Sequence, residues 1–400
     1  MKFLHTADWH LGKVLHRHEI NPEIGLFFDW LEKIIIDEKV DVLLISGDIF
    51  DLANPSNKDL KLYYHFLYRL SALKIKTIIT GGNHDSVSLL NAPAQLLDHM
   101  NIHVIGGVPE DFENQIIPIT NKNGDIAAIV LAVPFLRERD LKVSISADQE
   151  KTKTDTTATA IKSHYDRLVD MSLEKYGSGI PLIAMGHLFM QGATTSESER
   201  EIHVGNLQGI DGEMVHSQID YMALGHIHKP QRISKQDHIR YSGSPVYLDF
   251  SEAGYEKVVI SVDFNDGKCA IHPIKIPVFR QLLRLRGSWS EIKDALHKYR
   301  NPYDLITYVE IDVFEDVYNI SINYEVESFK EHQNTDYKII KSKITLPGNV
   351  LKDQEYNDRW AASFTPNDMI NRRLDIETLD DVYRQEIVSV YSEILETFND

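Results

Sequence analysis

Five short polar motifs, each placed directly after a run of apolar residues, contain the side chains of this chain that could do chemistry. In order they are Asp8-Trp9-His10, Gly47-Asp48, Gly81-Gly82-Asn83-His84-Asp85, Gly186-His187 and Gly225-His226-Ile227-His228. Because α/β sheets bind their ligands at the carboxyl ends of parallel strands, we expect the motifs to converge. Carboxylates, amide oxygens and imidazoles bind divalent metals, and paired metals activate water for phosphoester hydrolysis. The ordered set predicts a two-metal phosphoesterase.

Each motif also has a plain structural interpretation when it is considered alone. Asp8 and His10 stand two apart, so both could bind one ion from the same side, but a turn Asp beside a packing His has the same pattern. Asp48 could bridge two ions through its two carboxylate oxygens, or it could cap the following helix. Asp51 could be such a structural residue, or it could accept a hydrogen bond from a neighbouring His.

The Gly-Gly-Asn-His-Asp motif is the most specific of the five. Its two glycines indicate a strained turn that presents the side chains after it. Asn83 offers a neutral oxygen, which limits the negative charge in a site that accepts phosphate, and His84 could donate a proton or stabilise charge at the substrate. His226 and His228 follow a strand in a His-x-His pattern, so they can bind different ions of a close pair. His187 follows another strand in the same way.

The residues between the first motifs predict repeated β-α units. Residues 3–6, 42–46 and 77–80 are apolar enough for buried strands of a mostly parallel, layered sheet. A helix is predicted to start at Asn21-Pro22, with Asn as its cap, and another is predicted around residues 58–73. The apolar stripe of the first helix comprises Ile24, Phe27, Phe28, Leu31, Ile34 and Ile35.

The middle of the chain predicts a second set of strands. The polar residues 141–157 predict a surface loop, and the pattern after them predicts a helix over 159–176. Residues 181–185 and 221–224 are predicted strands that each run into a Gly-His pair. We expect the second sheet to be completed by residues 239–242, 257–263 and 268–274.

The chain changes character near Pro277. Residues 278–345 alternate apolar and polar side chains without any ligand motif, which predicts a small α+β domain. Residues 351–400 carry 12 Asp and Glu against 5 Lys and Arg, and an apolar stripe near the end predicts an amphipathic helical segment. The predicted parts of the chain are 1–276, 277–346 and 347–400.

Bulk composition narrows the class of protein. The 400-residue chain has a net charge of −18, which argues against a DNA binder driven by charge alone. Metal ions could still add local positive charge, or a partner protein could bind the DNA. No apolar run is long enough to span a membrane, and the single Cys269 excludes an internal disulfide, so we expect a cytoplasmic protein without membrane association.

The motif set resembles that of the calcineurin-like metallophosphoesterases. Within them, the opening Leu4-His5-Thr6-Ala7-Asp8-Trp9-His10-Leu11-Gly12 is most similar to bacterial recombination nuclease subunits. The motif Gly47-Asp48-Ile49-Phe50-Asp51 also resembles that of the bacterial subunits, because their archaeal and eukaryotic relatives tend to carry His in place of Asp51. Further segments of familial type are Pro134-Phe135-Leu136-Arg137, Tyr241-Ser242-Gly243-Ser244-Pro245 and Asn371-Arg372-Arg373-Leu374. The resemblance covers almost the whole chain and is looser after residue 278.

The resemblance implies an α/β fold of four layers, a β-sandwich flanked by helices, with a small α+β capping domain and C-terminal helices. It implies two divalent metal ions, most often manganese, with magnesium as the alternative. The first ion would be held by Asp8, His10, Asp48 and His228, and the second by Asp48, Asn83, His187 and His226. His84 would be the catalytic histidine beside the scissile phosphate. Asp51 and Asp85 would orient the metal ligands without binding the ions themselves.

The resemblance also implies a function. The chain would be a nuclease subunit, a double-strand exonuclease and single-strand or hairpin endonuclease in DNA recombination, replication and repair. It would pair with a coiled-coil ATPase, on which the C-terminal helices would dock, and would form a homodimer whose small domains orient DNA. The alternative is another enzyme of the superfamily, a nucleotidase or a protein phosphatase, although a minimal phosphatase would not need residues 278–400. A non-catalytic scaffold could lose ligands freely, whereas this chain retains all seven.

Overall fold

The computed structural model describes most of the chain. The described residues are 1–143, 153–196, 198–199, 210–265, 268–314, 320–331, 334–345, 384 and 387–391. The strands are β1 Lys2–Thr6, β2 Val14–Leu15, β3 His18–Glu19, β4 Val42–Ser46, β5 Lys76–Thr80, β6 Ile102–Ile105, β7 Ile116–Thr120, β8 Ile126–Ala132, β9 Leu182–His187, β10 Tyr221–Gly225, β11 Gln231–Ile233, β12 Gln236–Tyr241, β13 Val258–Asn265, β14 Lys268–Lys275, β15 Leu282–Gly287, β16 Thr307–Phe314 and β17 Tyr337–Thr345. The helices are α1 Asn21–Asp37, α2 Asn57–Leu73, α3 Val87–Asn91, α4 Ala94–Asp98, α5 Glu138–Val143, α6 Lys153–Tyr176, α7 Trp289–Lys298 and α8 Ile320–Glu331.

The first large sheet has the strand order β14-β13-β1-β4-β5-β6. Its strands β1, β4, β5 and β6 run parallel, as the β-α pattern predicts, and Phe3 pairs with Val42 at the centre. Strands β13 and β14 continue the sheet in antiparallel register beyond β1. The prediction that these two segments complete the second sheet is therefore wrong. Their apolar pattern marks them as strands, but it carries no signal for the edge on which a returning chain pairs.

The second large sheet has the order β11-β12-β10-β9-β8-β7. Strands β8, β9, β10 and β12 run parallel to one another, and β7 and β11 close the two edges in antiparallel register. Each of β9 and β10 ends on one of the predicted Gly-His motifs. The two sheets therefore each contribute motif-bearing strand ends.

The two sheets pack face to face through an apolar core. Phe3, Leu44 and Ile78 on one inner face meet Met185 and Tyr221 on the other, and all five are fully buried. Helices α1 and α2 cover the outer face of the first sheet, and α6 covers that of the second. This order of layers, helix–sheet–sheet–helix, confirms the predicted α/β fold.

Helix α1 buries the predicted stripe, with Ile34 only partly buried, but its start differs from the prediction. Ile20 occupies the cap position, and Asn21 is the first helical residue. The Asn21 side chain instead accepts a hydrogen bond from the Gly12 amide at 2.9 Å and donates one to Asp59. Asn21 therefore ties the segment after the first motif to α2 instead of capping its own helix.

The polar segment predicted as a loop over 141–157 is partly helical. Helix α5 reaches Val143 and α6 begins at Lys153, while residues 144–152 lie outside the described part of the chain. Residues 153–157 contain neither Pro nor Gly, so nothing in their backbone stops the helix from extending ahead of its apolar stripe. The apolar stripe of a helix predicts which of its faces is buried. It does not show whether the helix begins earlier, with a polar first turn.

The region after Pro277 contains β15, α7, β16, α8 and β17, with the three strands in the order β15-β16-β17. The chain divides into two compact units. One comprises Met1–Leu285, Lys298–Ile311 and Phe329–Lys341, and the other comprises Arg286–His297, Asp312–Ser328 and the described residues after 341. The domain boundaries at 276 and 346 stay predictions. The predicted C-terminal helices fall almost entirely outside the described residues, of which 384 and 387–391 are helical.

None of the helices in the described ranges has both the length and the apolar character needed to cross a bilayer.

We predict that Phe28→Ala lowers the free energy of unfolding by about 3–5 kcal/mol, since it empties a close-packed aromatic site. Phe28 is 1% exposed and stacks on Phe66 with ring centroids 4.0 Å apart. Guanidinium titration followed by circular dichroism measures the change. The matched control is Tyr68→Ala on α2, whose 66% exposed ring predicts a change within about 0.5 kcal/mol. Equal losses in the two variants would contradict the packing described here.

Candidate metal centre

The five predicted motifs meet at one end of the two sheets. The Asp8 amide donates to the Gly47 carbonyl at 3.1 Å, and the His10 amide donates to the Asp48 carbonyl at 3.0 Å, so the ends of β1 and β4 are joined. Across the sandwich, the His226 amide donates to Asp8 Oδ1 at 2.8 Å. Backbone hydrogen bonds therefore hold motifs from both sheets in one cluster.

Several of the predicted ligands have an unusual backbone conformation. Asp8, His10 and Asp48 lie at φ values of 54°, 47° and 50°, and His226 lies at 101°. Left-handed φ values are uncommon for residues with a side chain, and they occur preferentially at functional sites, where the surrounding structure enforces them. The fold therefore accepts local strain in order to turn these side chains toward one another.

Two glycines are required because other groups approach their backbones closely. A Cβ atom on Gly225 would lie 1.8 Å from the Ser46 carbonyl oxygen, which accepts a hydrogen bond from His187 Nδ1 at 3.0 Å. A Cβ atom on Gly82 would lie 2.1 Å from Asp48 Oδ1. The glycines of the motifs thus make room for the groups that orient the predicted ligands.

The first cluster contains Asp8, His10 and His228, all 2% exposed or less, whose ligand atoms lie within 4.8 Å of one another. His10 Nε2 and His228 Nε2 are 3.1 Å apart, and Asp48 Oδ2 is 3.6 Å from His10 Nε2. Asp8 Oδ2 is buried and has no hydrogen-bond partner among the described residues. Four predicted ligands therefore aim donor atoms at one small volume.

The hydrogen bonds of the two imidazoles show that this cluster fits a cation. His10 Nδ1 lies 3.2 Å from Asp51 Oδ1, and His228 Nδ1 lies 3.2 Å from Glu252 Oε1. A carboxylate only accepts, so each Nδ1 carries the proton of its hydrogen bond and Nε2 is the nitrogen of each ring that faces the centre of the cluster. The two Nε2 atoms lie 3.1 Å apart beside the buried carboxylate oxygen of Asp8, and this set of nitrogen and oxygen atoms suits a divalent cation.

The second cluster is built around His187 and Asp48. His187 Nδ1 donates to the Ser46 carbonyl, so its Nε2 faces Asn83 Oδ1 at 2.9 Å and Asp48 Oδ2 at 3.3 Å. The ring of His226 is next to that of His187, with centroids 5.6 Å apart. These oxygen and nitrogen atoms also suit a divalent cation. Asp48 belongs to both clusters, as expected of a bridging carboxylate.

His84 lies next to His10 and Asp48, and one ligand atom from each of these three residues lies within 4.8 Å of the others. Its Nδ1 donates to the Asp51 carbonyl at 2.7 Å, and its Nε2 lies 3.9 Å from Asp48 Oδ2. The ring is 7% exposed and contacts the ring of His10 edge to face. His84 therefore reaches the edge of the site with one nitrogen fixed and the other directed toward the centre.

Asp51 and Asp85 have different surroundings, although both were expected to support ligands. Asp51 accepts from His10 Nδ1 and forms an ion pair with Lys13 at 3.3 Å. Asp85 accepts from the backbone amides of Ile49, Phe50 and Gly82 at 2.8–3.1 Å, and not from a predicted ligand side chain in the described part of the chain. Asp85 thus joins the turns after β4 and β5 to each other.

The close packing of charged groups shifts their pKa values in opposite directions. Burial raises the pKa of Asp8 to about 7, although His187 opposes the shift. Burial opposes a charge on His187 too, but the Asp48 carboxylate outweighs it and raises the pKa of His187 to about 9. Burial likewise opposes ionisation of Asp51, but its hydrogen bond with His10 helps to lower the pKa of Asp51 to about 2. Without a metal, His187 therefore carries the positive charge that balances Asp48.

Sequence reasoning missed Glu252, the carboxylate behind His228. It lies in a short 3₁₀ turn, Phe250–Glu252, and its side chain is fully buried. No local motif marks it, because it approaches His228 only after the chain has passed through β12. The one available signal was the Tyr241-Ser242-Gly243-Ser244-Pro245 segment of familial type, which stands just ahead of this turn.

Comparison with known proteins agrees with this geometry. The model of the calcineurin-like phosphoesterase family matches residues 1–230. SbcD of Rhodobacter capsulatus, a subunit of the nuclease SbcCD, is 34% identical over 76% of this chain and 76% of its own length. The chain belongs to the SbcD family of calcineurin-like phosphoesterases. The expected resemblance is thereby confirmed.

Other SbcD relatives cover more of the chain or agree over the same part. SbcD of Escherichia coli (strain K12) is 29% identical over 99% of this chain and 98% of its own length. SbcD of Bacillus subtilis (strain 168) is 33% identical over 67% of both chains. Similarity to the SbcD family thus continues beyond the metal clusters and through the region after Pro277. Membership of a phosphoesterase family makes this chain a hydrolase of phosphate esters, with a His and Asp cluster that suits divalent metals.

We predict that metal binding releases a proton from His187 at about pH 7.5, because a ring with a raised pKa of about 9 is protonated there and a metal ligand is not. Titration calorimetry with Mn²⁺ in buffers of different ionisation enthalpy counts the protons released. In His187→Gln the count is expected to fall by about one. The control, His65→Gln on the exposed side of α2, should keep the wild-type count. Equal counts in all three proteins would contradict the charge assignment.

Proposed function

We propose that this chain is the nuclease subunit of an SbcCD-type complex, a metal-dependent DNA exonuclease and endonuclease acting in recombination, replication and repair. The observation that supports it most directly is the buried cluster of Asp8, His10 and His228, whose two Nε2 atoms converge to 3.1 Å, in a chain related to SbcD over nearly its whole length. A divalent cation at this point could activate water for hydrolysis of a phosphodiester. The relatives' name, nuclease, indicates a nucleic acid as the substrate, and we propose DNA.

The residues of the two clusters divide into two sets of ligands for two divalent ions, which we propose to be Mn²⁺, with Mg²⁺ as the alternative. Asp8, His10, Asp48 and His228 would hold one ion, and Asp48, Asn83, His187 and His226 would hold the other. When bound, such ions lower the pKa of water and neutralise phosphodiester charge. Asp51, through His10, and Asp85, through the backbone of the two turns, keep the ligands oriented.

His84 is the proposed catalytic histidine. Its Nδ1 proton is held by the Asp51 carbonyl, so a second proton on Nε2 is the one that can leave. That nitrogen points to the centre of the site, where the Asp48 carboxylate is 3.9 Å away. Its position allows it to hydrogen-bond the scissile phosphate or to protonate the departing oxygen. Its removal should therefore affect the chemistry more than metal binding.

The proposed partners are an SbcC-type coiled-coil ATPase, DNA and a second copy of this chain. The relatives' name describes one component of a larger complex, which supports a heteromeric assembly. We propose that residues 277–346 orient DNA and that 347–400 dock the ATPase. A cytoplasmic location belongs to the same proposal.

Another calcineurin-like phosphoesterase, such as a nucleotidase or protein phosphatase, is not favoured. The similarity to SbcD extends across 99% of the chain in the Escherichia coli relative, including the residues after 278 that such an enzyme would not need.

We predict that His84→Ala abolishes cleavage of an end-labelled hairpin duplex while the protein still binds two Mn²⁺ ions. The reason is that His84 lies beside the ligand clusters and contributes none of the proposed ligand atoms. Cleavage is measured with and without the co-expressed ATPase partner and ATP, and bound manganese is counted in the same samples. His65→Ala, an exposed substitution on α2, is the control and should cleave like wild type.

Two results would contradict this prediction. Parallel loss of metal and cleavage in His84→Ala would make His84 a ligand instead of a proton donor. Failure of the wild type to cleave any DNA, together with turnover of a small phosphodiester, would contradict the nuclease assignment while leaving the phosphoesterase assignment intact.

A further inference from the structure

A buried ion pair lies directly behind His228 and has no part in the roles assigned so far. Glu252 and Lys257 are joined by a salt bridge of 2.5 Å, and their side chains are 0% and 4% exposed. Burying a carboxylate and an ammonium group is expensive, and well-packed apolar residues often stabilise a protein as well or better. Stability alone therefore gives a poor explanation of this pair.

The two oxygens of Glu252 have separate partners. Oε2 accepts from Lys257 Nζ and from the Leu248 amide at 3.2 Å. Ser244 Oγ is also 3.2 Å from Oε2, but its single proton is shared with the Val246 carbonyl at 3.0 Å. Oε1 faces His228 Nδ1 at 3.2 Å, so the contacts of Oε2 hold it at a defined position behind the imidazole.

Ser198 reinforces this arrangement from the opposite side. Its hydroxyl donates to Glu252 Oε1, so its oxygen is free to accept from His228 Nδ1 at 2.6 Å. Both acceptors therefore favour the same imidazole tautomer, with the proton on Nδ1 and the lone pair on Nε2. Nε2 is the nitrogen that lies 3.1 Å from His10 Nε2.

Lys257 also contacts the backbone of His228, whose ring it reaches only through Glu252. Its Nζ donates to the His228 carbonyl at 3.3 Å and to Ser244 Oγ at 2.6 Å. One ammonium group thus positions the main chain of His228 directly and its ring through Glu252.

The ring of His10 has a similar pair of residues behind it, but that pair is more exposed to solvent. His10 Nδ1 faces Asp51, whose ion pair partner is Lys13, and these two side chains are 13% and 24% exposed. The His228 side has the same order of imidazole, carboxylate and lysine, but its carboxylate and lysine side chains are almost fully buried. Solvent therefore reaches the pair behind His10 more than the pair behind His228.

We propose that Glu252 and Lys257 are positioning residues that fix the tautomer and direction of His228 as a metal ligand. The inference rests on the proposed function, because it takes His228 to bind one of the two ions. Carboxylate partners of ligating histidines typically account for about 10–100-fold in metal affinity. Loss of the contacts from Glu252 and Lys257 should therefore lower the affinity for one ion and leave the affinity for the other unchanged.

The test is Mn²⁺ titration of the full-length chain, with free manganese measured by electron paramagnetic resonance. The first variant is Glu252→Asp, which keeps the charge that pairs with Lys257 but withdraws the carboxylate from His228 by one methylene. We expect one of the two sites to lose about tenfold or more in affinity. The matched control is Glu256→Asp on the same segment, where Glu256 forms an exposed pair with Lys275, and both sites should keep their affinities.

A second variant tests whether a loss of affinity is caused by misfolding. Glu252→Gln combined with Lys257→Met removes both charges together, so no unpaired charge is left buried. We expect a melting temperature close to that of wild type and the same selective loss at one site. Wild-type affinity at both sites in either folded variant would overturn the inference, and so would equal weakening of both sites.

The titration also separates this inference from the proposed function. Fewer than two bound ions in the wild type would contradict the two-metal proposal itself. Two ions in the wild type and two unweakened ions in the variants would contradict only the role of Glu252 and Lys257.

Discussion

The structure of the site depends on the convergence of His10 Nε2 and His228 Nε2, 3.1 Å apart, beside the buried Asp8 Oδ2, which has no hydrogen-bond partner among the described residues. Behind each ring a carboxylate, Asp51 or Glu252, accepts a hydrogen bond from Nδ1, so Nε2 is the nitrogen that faces the site. Left-handed backbone at Asp8, His10 and Asp48 and close contacts at glycines serve to maintain this arrangement. A buried site that brings these nitrogen and carboxylate atoms together suits a divalent cation.

Much of this centre could be predicted because its side chains follow strand ends directly. A strand that ends in Gly-Asp or Gly-His indicates both an element and the side chain that it presents, so Asp48 and His187 were identifiable from local sequence. The parallel sheet then brings the ends together without further information. What local patterns cannot give is the pairing of elements distant in the chain, and for that reason β13 and β14 were assigned to the wrong sheet.

The supporting residues were harder to find for the same physical reason. Asp51 stands three residues after Asp48, and its neighbourhood with His10 could be anticipated from the motif. Glu252 lies in a short turn with no pattern of its own, and its contact with His228 exists only in the folded chain. Asp85 was expected to support the metal ligands, and its side-chain partners in the structure include the backbone amides of Ile49 and Phe50, which a sequence pattern does not show.

The central claim is that two divalent ions occupy the two clusters and share Asp48. Crystals grown with manganese and measured at the manganese absorption edge test it most directly. The account predicts two anomalous peaks, one among Asp8, His10, Asp48 and His228 and one among Asp48, Asn83, His187 and His226. A single peak, or peaks that do not both contact Asp48, would contradict it.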